Sequence, residues 1–305
     1  MAASWRDRLR VTPGERPGLA QLDCRSTPGA PTGGKQAALG ALAGDAAEVA
    51  DLQARLWAQG SSGSPRRLLV VLQGMDTSGK DGTVRHVVGG MNPAGCVVTS
   101  FDAPTPTELR HDFLWRITRA LPGPGVVGVF NRSHYEDVLI VRVHDLVPEP
   151  VWQARYEAIN AWEARLVARG TTLVKICLAI SADEQRERLL ARLDDPTKQW
   201  KANPADVTER QSWPAYLEAY DEAIARCSTA DAPWYVVPAD RKWYRNLAVD
   251  RLLLETLRAM DLQWPAPRAD LDAMRASLRS GRPCAEGVPA RKGVSRRSGT
   301  GRGLP

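Results

Sequence analysis

No apolar run in this sequence approaches the ~20 residues that a membrane span requires, and Met1 to Arg10 holds no continuous apolar segment of the signal-peptide kind. No membrane partner is expected, and the cytoplasm is the expected compartment. Cysteine is scarce and scattered: Cys24, Cys96, Cys177, Cys227 and Cys284 are five, widely spaced, and never in a Cys-x-x-Cys pair. Disulfides and structural zinc are therefore not expected. The Asn-Lys-x-Asp guanine motif is absent, no second helicase-like core follows, and there is no internal repeat. Excess charge is also missing from most of the chain. The formal net charge is +6, and Gln263 to Pro305, with nine basic and three acidic residues, carries all of it. The preceding 262 residues are neutral, so an anion site there has to be built by placement of charge, and no nucleic-acid partner is expected.

What is present is an apolar β-type run, Arg67 to Gln73, emptying into Gly74-Met75-Asp76-Thr77-Ser78-Gly79-Lys80-Asp81-Gly82, with His86-Val87-Val88 continuing as a helix. A Gly-x-x-x-x-Gly-Lys loop between strand and helix cradles phosphate with backbone N–H groups at a helix N-terminus. Gly74, Gly79, Lys80, Asp81 and Gly82 are the candidate phosphate-binding positions. Two features depart from the usual pattern. Asp81 stands where a Ser or Thr normally holds Mg²⁺, and Asp76 places a carboxylate inside the anion loop. Two readings of Asp76 stay open: a ligand for a divalent cation that screens it from phosphate, or a side chain that caps the turn.

Along the chain, residues 1–35 are rich in Pro, Gly and Thr and read as a surface tether. Gln36 to Gln59 carries Leu39, Leu42, Val49, Leu52 and Leu56 at helical spacing. Strands follow at Arg67–Gln73, Cys96–Phe101, Val126–Phe130, Leu173–Ile180 and Trp234–Pro238. Helices are expected at Thr107–Leu121, Val151–Arg169, Ala182–Leu193 and Trp243–Asp261. Such alternation predicts an α/β fold with a parallel five-stranded sheet and helices on both faces. Its ligands belong at the carboxyl ends of the strands. The polar stretch within about 183–213 reads as a helical lid, and the tail over 263–305 as disordered.

Three further clusters carry chemistry. After the third strand come Asn131-Arg132-Ser133-His134-Tyr135-Glu136-Asp137, in which Glu136 suits a metal and Arg132 offers phosphate a planar fork of donors. A carboxylate favoured by the helix dipole is the alternative reading of Glu136. His134 reads as a hydrogen-bonding or packing residue. The lid carries Arg186, Arg188, Arg192, Lys198 and Lys201, which either close over transferring phosphates or form a solvated face paired with Glu184, Glu187 and Asp195. Asp240 to Arg245 follows the fifth strand at its ligand-bearing end, with Trp243 and Tyr244 expected in the core.

The blocks Leu72 to Thr83, Asn92-Pro93, Asp112-Phe113-Leu114-Trp115-Arg116, Phe130 to Asp137, Lys198-Gln199-Trp200-Lys201 and Ala232 to Trp243, in this order, resemble the polyphosphate kinase 2 family. The resemblance covers roughly residues 20–262. It implies a thymidylate-kinase-like P-loop fold, with 36–262 as the phosphotransferase domain, and Mg²⁺-dependent transfer of a phosphoryl group between inorganic polyphosphate and a nucleotide. By the same resemblance Asp76, Lys80, Arg132 and Glu136 are catalytic, with Asp76 and Glu136 on the metal. Arg188, Arg192, Lys198 and Lys201 join the loop on polyphosphate, and Asp112, Arg116, Arg132, Arg241 and Lys242 serve the nucleotide. Asn131 and Asp81 stand where other members have Asp and Gly, which resembles members that accept both mono- and diphosphates. A purine mono- or diphosphate acceptor and a homo-oligomer, dimer or tetramer, are expected. The same loop and lid also permit an ATP-using kinase of nucleotides or small metabolites.

Overall fold

The computed structural model describes residues 3–280. The chain divides into two units, 1–264 and 265–305. In the first, helix α1 (Trp5–Leu9) and the long helix α2 (Gly34–Ser61) precede strand β1 (Arg67–Gln73) and helix α3 (Lys80–Gly89). Strand β2 (Cys96–Ser100), helix α4 (Trp115–Arg119), strand β3 (Val127–Asn131), helix α5 (Ile140–Val143), helix α6 (Glu149–Ala168) and strand β4 (Thr171–Ala179) follow. Helices α7 (Ala182–Asp194), α8 (Ala205–Glu209) and α9 (Trp213–Cys227), strand β5 (Trp234–Pro238) and helix α10 (Lys242–Ala259) complete it.

The five strands pair in the order β2-β3-β1-β4-β5, every pair parallel. β1 is central because its inner run is apolar: Leu68 to Leu72 are fully buried and serve both faces alternately. Leu69 and Val71 join Phe130, Ile159, Trp162 and Ile224 on the face covered by α6 and α9. Leu68, Val70 and Leu72 join Val129, Leu56, Leu252 and Leu253 on the face covered by α2 and α10. From β1 the chain crosses to the edge strand β2, steps back to β3 beside β1, and then passes to β4 on the other side. A crevice therefore opens at the carboxyl end of β1, where ligands of such sheets bind.

Three expectations change. Residues 3–35 do more than lie on the surface as a tether. Leu9, Val11, Leu19 and Cys24 are buried, Asp240 donates its backbone N–H to Cys24 O (3.1 Å), and Tyr244 Oη donates to Pro28 O (2.8 Å). The prolines that forbid helix do not forbid packing, and apolar residues spaced among them supply the anchor. The helix expected over Thr107–Leu121 breaks into a 3₁₀ turn at Glu108–Arg110 and the short α4. Asp112 Oδ1 accepts the Leu114 N–H (2.9 Å) and starts a new turn there, the local competition typical of Asp. In the second unit, helix α11 (Leu271–Ser280) stands where composition predicts disorder. Its Leu271, Met274 and Leu278 recur at helical spacing, a pattern outweighed in composition by the Arg, Gly and Ser around it. The rest of that tail, 281–305, lies outside the described residues.

Candidate active site

The loop leaving β1 is shaped by two glycines. Gly74 has φ of 146°, and a Cβ there would lie 2.6 Å from Leu178 O; Gly79 has φ of 103°, and a Cβ would lie 1.7 Å from Arg245 Nη1. Only glycine meets both demands. Between them Thr77 holds a left-handed φ of 61°, and Arg132 across the crevice holds 62°. Such conformations persist only where surroundings enforce them. Gly82 lies within the first turn of α3, where Arg245 Nη2 is again the near neighbour of a Cβ, at 3.1 Å. Tyr220 Oη, from α9, accepts the Gly74 N–H (3.1 Å), and Gln185 Nε2, from α7, donates to Asp76 O (3.1 Å).

Lys80 is buried and donates from Nζ to Gly74 O (2.6 Å) and Met75 O (3.3 Å). Burial pulls its ammonium below the usual lysine range against the attraction of Asp76 and Glu136. Asp76 Oδ1 accepts from Arg132 Nη2 at 3.0 Å. Burial works against its charge, but Lys80 and Arg132 hold its carboxyl below the ordinary value. Glu136 shows the opposite balance: burial pushes it up despite Arg132 and Lys80. Asp137, paired with Arg155 at 3.1 Å, is pushed by burial up to about 6.

The donor set is therefore two carboxylates, Asp76 and Glu136, close enough for each to feel the other's charge. Among the described residues no group of three or more His, Cys, Asp or Glu could hold a metal unaided. That arrangement fits Mg²⁺, which characteristically takes one or two carboxylates and completes its octahedron with water and substrate phosphates. Thr77 Oγ1 and Ser78 Oγ in the loop are buried without a hydrogen-bond partner, polar capacity left for a ligand or its water.

The lid residues divide. Arg192 pairs with Asp206 (2.8 Å) and Lys198 with Asp195, both within the lid, and Arg192 lies close enough to act on Asp76. Lys201 reaches out of the lid to Asp81 (2.7 Å). Arg188 departs from expectation. Its Nε donates to Glu184, Nη1 to Thr77 O and Ser78 O, and Nη2 to Ala239 O and Asp240 O. All five N–H donors of the guanidinium are occupied, so none is left for phosphate. Arg188 is a brace for the loop. Asp81 also parts from a phosphate-binding role, because its oxygens take Lys201 and Asn131. The two positions at which this sequence departs from the pattern it resembles thus touch, with Asn131 Nδ2 2.9 Å from Asp81 Oδ1.

The nucleotide candidates lie on two sides. Asp112 and Arg116 act on the Asp137 carboxyl, and Arg116 Nη1 donates to Asp102 O (2.8 Å). Arg241 and Lys242 open α10 at the end of β5, where Arg241 Nε holds Arg25 O (2.9 Å). Burial and the nearby Arg188 pull the Lys242 ammonium down. No sequence signal marks Gln185 or Tyr220, and Arg245 is marked only as the end of the cluster after the fifth strand. Arg245 is buried behind the loop, and burial with the adjacent Arg188 pulls it down to about 10.

His134 lies beneath the site as a buried hydrogen-bonding residue, its Nε2 3.2 Å from Glu163. Glu163 also takes Lys175 Nζ and Tyr135 Oη, and this cluster pins the 3₁₀ turn His134–Val138 that carries Glu136. Burial opposes charge on Glu163, yet Lys175 and His134 hold its carboxyl below the usual value. Its contribution to stability is thus present above the unfolded-state carboxylate value and is lost as pH falls through the folded one. Glu163→Ala is expected to cost about 3–5 kcal/mol by stranding Lys175, whereas Glu163→Leu with Lys175→Met costs much less. Urea unfolding of both variants checks this.

A lysine-bearing anion loop at the sheet's switch point, with Arg192 and Lys201 of the lid beside it, places the chain among P-loop kinase-like phosphotransferases. It belongs to one family of them in particular: the model for Polyphosphate kinase 2 matches residues 35–265. The AMP/ADP-polyphosphate phosphotransferase of Meiothermus ruber is 49% identical over 260 residues, spanning 85% of this chain and 96% of that one. The ADP-polyphosphate phosphotransferase of Rhodopseudomonas palustris is 46% identical over 246 residues, 75% of this chain and 84% of that one. The crystal structure of polyphosphate kinase 2 from Arthrobacter aurescens superposes with a TM-score of 0.88 at 50% identity, covering 92% of this chain and 98% of that chain.

Proposed function

We propose that this chain transfers a terminal phosphoryl group, reversibly, between inorganic polyphosphate and a purine nucleotide, with mono- and diphosphates both accepted and Mg²⁺ held by Asp76 and Glu136. The observation that carries the reading is the pairing of a Lys80-bearing anion loop with lid cations, within residues 1–262, whose formal net charge is zero. A donor whose negative charge repeats along its length needs such a row of cations and no base recognition. The relatives' names, one of them an AMP/ADP phosphotransferase, support the breadth of acceptor.

The attacking group is an oxygen of the acceptor's terminal phosphate, already anionic, so no strong base is required. Loop N–H groups and Lys80 hold the phosphates in line, Arg132 neutralises charge that develops beside Asp76, and lid closure excludes water. Asp76 and Glu136 would hold Mg²⁺, which when bound would supply charge neutralisation for the transferring phosphates. A homo-oligomer in the cytoplasm completes the proposal.

Purified protein is expected to form ADP and ATP from AMP and ADP with polyphosphate and Mg²⁺. Products resolved by chromatography, against ATP with small phosphorylated acceptors, test it. Turnover only in the ATP arm would make this an ATP-using kinase.

A further inference from the structure

We propose that Asp81, held by Asn131, is a positioning residue that fixes the lid lysine Lys201 beside the phosphate-binding loop, and that this chain of contacts sets the affinity for the polyphosphate donor. The inference rests on the reading above, in which the lid cations face the donor.

Three elements meet here that are distant in sequence. Asn131 ends β3, in register with Leu72 of β1, and its backbone O is fixed by the Phe101 N–H (3.1 Å). Its side-chain amide donates to Asp81 Oδ1 (2.9 Å), and Lys201 Nζ donates to Asp81 Oδ2 (2.7 Å). Both carboxylate oxygens are thereby oriented, one from the sheet and one from the lid. An ammonium has three donors and Asp81 takes one, which leaves Lys201 able to contact phosphate while held in place. Arg192 and Lys198, by contrast, pair inside the lid and fix nothing to α3.

Asn at position 131 is what permits this arrangement. An aspartate there would set a second carboxylate against Asp81, add repulsion toward phosphate and take up a further donor of Lys201. The charged groups acting on Asp81 are Lys201 from the lid and Lys80 from the loop, while the β3 side chain facing it is neutral.

The test is steady-state kinetics on Lys201→Ala, Asp81→Asn, Asp81→Glu, Asn131→Asp and the Lys201→Ala/Asp81→Asn double variant, with polyphosphate and nucleotide varied separately. Lys201→Ala is expected to raise the polyphosphate KM about tenfold, the scale of a lost charged hydrogen bond. Asp81→Asn should raise it about twofold to fivefold, the scale of an exposed ion pair, with Asp81→Glu recovering much of the loss. The double variant should be no worse than Lys201→Ala, since Asp81 acts through Lys201. The nucleotide KM should stay put in Lys201→Ala, whose side chain comes from the lid. Asn131→Asp should weaken polyphosphate binding at higher pH and recover as pH falls and the two carboxylates share a proton. If Lys201→Ala keeps the parent's polyphosphate KM, the donor reading of the lid falls with the proposal. If Lys201→Ala is weak but Asp81→Asn is unchanged or tighter, or the two losses simply add, the positioning role alone is overturned.

Discussion

Replacing Asp76 with Asn is expected to lower kcat by at least about 10²- to 10³-fold, the scale of losing one electrostatic element aimed at developing charge. Its folding should be nearly unaffected. Asp76 and Arg132 side chains are 36% and 38% exposed, and pairs that open to solvent contribute little to stability. A carboxylate kept ionised inside an anion loop repels the substrate unless a cation stands between them, so its removal should be felt chiefly through Mg²⁺. The Mg²⁺ concentration giving half-maximal rate should rise together with the fall in kcat. The pH profile supplies an independent check. Glu136 sits above its ordinary value, mainly through burial, and Asp76 adds to the rise. Only the ionised form of Glu136 binds a cation, so kcat/KM should climb with pH. Removing the Asp76 charge lowers the Glu136 pKa, and the climb should move to lower pH in Asp76→Asn. Near-parent turnover at ordinary Mg²⁺, with thermal unfolding unchanged, would take Asp76 off the metal.

Much of this site is legible in sequence because its signals are local. Leu68 to Leu72 can only be a strand buried on both faces, and the spacing from Gly74 to Lys80 fixes loop and helix together. Asn131 to Asp137 follows its strand directly, so its place at the sheet's carboxyl edge comes from connectivity alone. What stays hidden depends on contacts far apart in the chain. Tyr220 reaches Gly74 from α9, a helix whose buried face is made of Ala219, Ala223, Ile224 and Cys227, with little of the bulk that marks an apolar stripe. The N-terminal segment shows its prolines locally, whereas its value to the fold lies in bonds to Asp240, Arg241 and Tyr244 more than two hundred residues away. Spacing correctly groups Arg188 and Arg192 on α7, but it cannot say which of two cations faces the crevice and which faces the loop's main chain.

That distinction yields the other large expected effect. Arg188→Ala should destabilise the protein and disable it at once, and neither effect should resemble the loss of a phosphate ligand. The Arg188 side chain is 9% exposed, and its guanidinium satisfies four backbone carbonyls, two in the phosphate loop and two after β5. Stranding carbonyls in a site this dry costs roughly 3 kcal/mol in all, allowing for relaxation and water entry. For a unit of this size that corresponds to a fall in Tm of roughly 6–12 °C. With its brace gone, the Thr77–Ser78 stretch shifts, and misplacement of about 1 Å at a reacting centre can lower kcat ~10²-fold. Arg188→Lys should recover only part of either loss, because a single ammonium cannot span carbonyls that a planar fork reaches from both edges. Lys198→Ala is the control from the same lid. Lys198 is 63% exposed and, among the described residues, its ammonium is paired with Asp195 alone, so its removal should leave Tm unchanged and act on the polyphosphate KM alone. Differential scanning fluorimetry beside steady-state kinetics separates the two cases. Should Arg188→Ala keep the parent's Tm and lose only polyphosphate affinity, its guanidinium leaves the main chain to bind the donor when the lid closes. A joint fall in Tm and kcat with the polyphosphate KM little changed means that Arg188 serves catalysis by holding the loop in shape.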